Sequence, residues 1–88
     1  MADEQLKQQI RDVLKQVYFT SPDDMVDVSD GPDDSVHLVL ISRKFDGQRA
    51  KAKHELISDI LVGNLPSEVW NRISLTICRS PEEIKAGL

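Results

Sequence analysis

The 88-residue chain carries one cysteine, Cys78, and two histidines, His37 and His54. A single thiol excludes an internal disulfide framework and a metal site built from cysteines alone, and it fits a reducing compartment. Aromatic residues are only 5% of the chain, so the core has to be aliphatic, and few rings are left to stack on bases. No apolar run approaches the roughly 18 residues of a membrane span, and the polar start has no secretory apolar segment. The expectation is a soluble, cytoplasmic protein. Eleven Lys and Arg against fifteen Asp and Glu leave a net charge of −4, which argues against a surface that clamps phosphates all round. There is no Gly-rich phosphate loop and no serine nucleophile elbow. A pair of Cys78 with either histidine would need an orienting group and a pocket that a fold this small hardly encloses, so the reading is non-enzymatic.

What is present is about 35 apolar side chains, enough for one small core, and residues 1–88 are read as one domain. Leu6, Ile10, Val13, Leu14 and Val17 recur at helical spacing and predict a first helix over about residues 3–18, ended by Ser21-Pro22. Val26 and Val28 alternate with Met25, Asp27 and Ser29 as in a half-buried strand. A turn cluster at 30–34 follows, then an apolar run from Val36 to Ile41 that reads as the central strand and the hairpin partner of the first. Ala50, Lys53, Ile57, Ile60 and Leu61 predict a second helix over about 48–62, with Gly63-Asn64 as its stop.

After a break at 65–68 and a further helical turn around Trp70, residues 72–78 alternate throughout. Ile73, Leu75 and Ile77 are expected on the core side of this third strand. Arg72, Ser74, Thr76 and Cys78 are expected on the wetter side. Ser80-Pro81-Glu82-Glu83 combines an N-cap serine, a proline at the first helical position and a capping-box glutamate, and starts a short last helix. The order α-β-β-α-β-α gives an α+β fold, a three-stranded sheet with helices on one face and the other face open.

Charge is distributed unevenly. No Lys or Arg lies between positions 21 and 42, where Asp23, Asp24, Asp27, Asp30, Asp33 and Asp34 read as solvated turns, since the spacing does not follow a calcium-binding loop. Arg43, Lys44, Arg49, Lys51 and Lys53 against Asp46 give residues 43–54 a balance of +4, leaving −8 for the rest. Such a dipole steers an anionic partner to one end of the molecule. His54 falls at the edge of the buried arc of the second helix, and His37 and Cys78 are expected toward the open side of the sheet.

The run Leu38-Val39-Leu40-Ile41-Ser42-Arg43-Lys44-Phe45-Asp46-Gly47, then Lys53-His54, then Ser80-Pro81-Glu82-Glu83, resembles the BolA family. Phe45, Gly47 and His54 occupy matching places, with Lys53 where arginine is usual, and the resemblance runs from the first helix to Glu83. It implies a compact fold similar to type II KH domains. It also implies a small non-enzyme that pairs with a monothiol glutaredoxin, shares a two-iron two-sulfur cluster with it, and serves iron-sulfur assembly or iron regulation. The family usually has a histidine at the start of the third strand, where this chain has Arg72, whose guanidinium offers no lone pair to a metal. The loop between the first two strands lacks the family's second ligand. Ligation would then fall to His37 or Cys78.

Two readings follow. The first is a partner of a glutaredoxin or another assembly factor, docking through Arg43, Lys44, Phe45, Gly47, Arg49, Lys51, Lys53, His54 and Arg72, as a monomer or weak dimer. The second is a KH-like nucleic-acid-binding regulator that uses the same cations, although KH modules clamp the backbone with a Gly-x-x-Gly loop that this chain lacks.

Overall fold

The computed structural model describes residues 3–86. Asp3 caps the first helix, α1 (Glu4–Val17), by accepting a hydrogen bond from the Gln5 backbone N–H. The helix buries Ile10 and Leu14 along one stripe. Lys7 lies on the same stripe and is also buried, its ammonium 2.7 Å from the Glu4 carboxylate and 3.2 Å from that of Asp30. The two carboxylates hold its pKa above the usual lysine range and tie the start of α1 to the end of the first strand.

Strands β1 (Met25–Asp30) and β2 (Val36–Ile41) form the expected antiparallel hairpin, with Asp27 opposite Val39. A short 3-10 turn over Pro32–Asp34 joins them, with Asp33 and Asp34 in the left-handed region that Asp tolerates better than most residues. Helix α2 (Ala50–Asn64) and the single turn α3 (Ser67–Trp70) make the crossover that a parallel pairing requires, and β3 (Ile73–Arg79) then lies parallel to β2. The sheet order is β1-β2-β3, so β2 is central, and α4 (Pro81–Lys85) closes the described chain. Ser80 and Glu83 form the reciprocal capping box that their spacing predicts.

Helix α2 runs two residues past the predicted stop. The Leu65 N–H still bonds to the Leu61 carbonyl at 3.0 Å, and it is Pro66 that ends the helix. One hydrophobic core, with Leu14, Leu38, Leu40, Phe45, Ile57 and Val36 among its members, fills the space between the sheet and helices α1 and α2. None of the described helices is long and apolar enough to cross a membrane.

The facing of β3 departs from expectation. The pairing with β2 slips between Val36 and His37: Val36 stands opposite Ile73 but His37 stands opposite Leu75, so Ser74 is an extra residue. One inserted residue inverts every side chain beyond it. Ile73 still points to the core, but Thr76 and Cys78 then face inward, opposite Leu38 and Leu40. Leu75 and Ile77 face outward beside His37 and Val39, and Leu75 is 44% exposed. The open side of the sheet is therefore the aliphatic side of β3.

Candidate functional site

Helix α2 runs back across the inner side of the sheet beside β3, and a groove of about 300 Å³ remains between them. His54, Ser58 and Thr76 line one end, and Leu61, Trp70 and Ile73 line the other. His54 and Ser58 are exposed, a turn apart on one helical stripe, and Lys51 is on the same stripe one turn earlier. The groove lining includes no acidic residue, although the chain has fifteen. Arg72, exposed, immediately precedes Ile73 at the apolar end.

The predicted docking residues do not form one surface. Arg43, Lys44, Gly47, Arg49, Lys51 and His54 are exposed, with Arg43 and Lys44 in a 3-10 turn (Arg43–Phe45) that the Ser42 side chain caps. Gly47 has φ of +73°, the left-handed geometry that suits glycine, where the chain turns into α2. The Lys44 ammonium donates to the Tyr18 carbonyl and stands 4.2 Å from the centre of the Tyr18 ring.

Phe45 is a core residue, 1% exposed and edge-on to Phe19. Lys53 is buried too, 3% exposed, with its ammonium donating to the Cys78 carbonyl at 3.1 Å and to the Glu83 carboxylate at 2.9 Å. Neither can meet a partner directly. Arg72 lies at the opposite end of the sheet from Arg43, because β3 is parallel to β2 and begins where β2 begins. Arg79 is brought to the Arg43 end instead, its carbonyl accepting from the Ser42 N–H at 3.1 Å. Sequence reasoning missed Arg79, Ser58 and Trp70. The cue for Arg79 was its place directly after the alternating run.

The candidate metal ligands stand on opposite sides of the sheet. His37 faces the open side, as expected, whereas Cys78 is fully buried on the core side, contrary to expectation. Burial pushes the Cys78 thiol above its usual pKa, only partly offset by the Lys53 and Arg79 charges, so it is held as a neutral thiol. The Glu83 carboxyl is held below the usual range, first by the hydrogen bond from Lys53 and then by the Ser80 backbone N–H.

No family model matches the chain, and no curated protein matches it. Among solved structures it is similar to BolA1 from Arabidopsis thaliana, with a TM-score of 0.66 and 18% identity over 92% of this chain and 98% of that one. The fold is BolA-like. That α+β arrangement agrees with the order read from the sequence, and the similarity spans nearly the whole of both chains. At the two places where the resemblance expects a cluster ligand this BolA-like chain offers none: Arg72 stands at the start of β3, and residues 30–35 include neither His nor Cys. No group of three His, Cys, Asp or Glu suited to a metal occurs among the described residues, Arg72 has no lone pair to offer, and the Cys78 thiol is sealed in the core.

Proposed function

We propose that this chain is a non-enzymatic, BolA-type interaction protein of the cytoplasm. It docks a monothiol glutaredoxin, or another factor of iron-sulfur assembly or iron regulation, without donating a cluster ligand. The observation that carries this reading is the α2–β3 groove, an accessible pocket with an apolar end at Trp70 and a cationic margin from Lys51 and Arg72, in a BolA-like fold. An aromatic anchor beside exposed cations, Lys51 only loosely paired with Glu55 at 4.0 Å, suits an acidic protein surface. Nucleic acid is favoured less. The net charge is −4, Lys53 is locked in an internal ion pair, and no two glycines are spaced as a Gly-x-x-Gly clamp requires.

Calorimetric titration with a monothiol glutaredoxin tests the proposal. Binding is expected, with Trp70→Ala and Ser58→Arg each weakening it at least about tenfold. The visible spectrum of a glutaredoxin loaded with iron and sulfide should be the same whether wild type, His37→Ala or Cys78→Ala is added. No binding, or a spectrum altered by either substitution, would refute the respective half of the proposal.

A further inference from the structure

Among the described residues no helix covers the outward face of the sheet, since α1 and α2 both pack on the other side. Its centre is aliphatic, with Val39 and Ile41 on β2 and Ile77 on β3. Met25 on β1 and Leu75 on β3 extend it to the two outer strands, 42% and 44% exposed. Two charges of opposite sign lie on opposite outer strands, Asp27 on β1 level with Val39 and Arg79 on β3 level with Ile41.

We infer that this face seats a second copy of the same chain, about a two-fold axis running along β2. Rotation about that axis lays β1 of one copy over β3 of the other and sets Val39 and Ile41 against their own equivalents. Asp27 of each copy then comes one row, about 7 Å along the strand, from Arg79 of the other, within reach of an arginine side chain. Both ion pairs form at once because the contact is isologous. An axis across the strands would instead stack Asp27 on its own equivalent and bury Arg79 without a partner. Arg79 Nη1 bonds to its own Cys78 carbonyl at 3.0 Å, and the other guanidinium N–H groups remain for the carboxylate.

The outer edge of β3 is not an alternative seat for the second copy. Arg79 turns its carbonyl to β2, so that of Cys78 points to the outer edge, where Lys53 and Arg79 take it, and Ser74 bulges further along. The open face measures about 15 by 20 Å by strand spacing and rise. That is well below the roughly 800 Å² per partner of a standard stable interface, so the dimer is weak and reversible.

Sedimentation equilibrium of the full chain from 10 μM to 1 mM tests this without any other partner, independently of the groove. A reversible monomer–dimer equilibrium is expected. Val39→Lys should weaken it at least about tenfold, as should Leu75→Lys, whose exposed position secures folding if Val39→Lys unfolds the chain. Asp27→Arg and Arg79→Asp should each weaken association, and the double variant should recover it, which a generally sticky surface would not do. A monomer throughout the range, or a double variant no better than the single ones, would overturn the inference.

Discussion

Lys53 is the residue whose role changes most between sequence and structure. Its position in the second helix places it among the cations, yet its stem passes close to Phe45, with the ammonium 5.9 Å from the ring centre, and its charge is spent on Cys78 and Glu83. A buried ammonium is tolerated only with such partners. It joins three separate elements, α2, the end of β3 and the start of α4. Replacing it by Met keeps the stem but leaves the Glu83 carboxylate without its cation and the Cys78 carbonyl with Arg79 as its remaining donor, and should destabilise the fold by about 1–3 kcal/mol in urea unfolding. Glu83 gives the same contact a pH signature. Its carboxyl titrates below the ordinary range in the fold, so its stabilising contribution is complete above the unfolded carboxylate pKa and disappears as the pH falls through the lowered folded value. Urea midpoints between pH 7 and pH 3 should therefore fall less steeply for Glu83→Gln than for the wild type.

At the scale of elements, the sheet is organised by two irregularities. The first is the turn between β1 and β2, where Gly31 lies so close to its neighbours that an added Cβ would be 2.5 Å from Ser35 Oγ and 2.7 Å from the His37 ring. The crowding atoms belong to the ends of two partly exposed side chains that can turn aside, so Gly31→Ala should cost less than about 1 kcal/mol. Gly63→Ala is the contrasting case, since a Cβ there meets nothing within 4 Å inside α2, and it should stabilise by about 0.5–1 kcal/mol. Urea midpoints of the two variants check both signs. The second irregularity is the bulge at Ser74, whose hydroxyl bonds to that of Ser35 at 2.9 Å and so ties the slipped register to the same turn. Because of it, a strand whose sequence pattern points aliphatics inward presents Leu75 and Ile77 to the outside and packs Cys78 against the core.

The whole molecule has one core, and its stability should be lost in one step. Trp70 fluorescence and far-ultraviolet circular dichroism should report coincident urea transitions, and Leu38→Ala, in the central strand with no exposed surface, should cost about 2–5 kcal/mol and lower the melting temperature by at least about 10 °C. Much of this architecture was legible in the residues alone. The periodicity of Ile10 and Leu14, the apolar run of β2, and the capping box of Ser80 and Glu83 are local signals, and they determined the order of elements, the hairpin and the α+β class. The side that β3 turns to the core, the burial of Lys53 and Cys78, the separation of Arg72 from Arg43 and the groove between α2 and β3 were decided only by tertiary structure. Each depends on partners distant along the chain, and a single unpaired residue in a strand is enough to exchange its inner and outer faces.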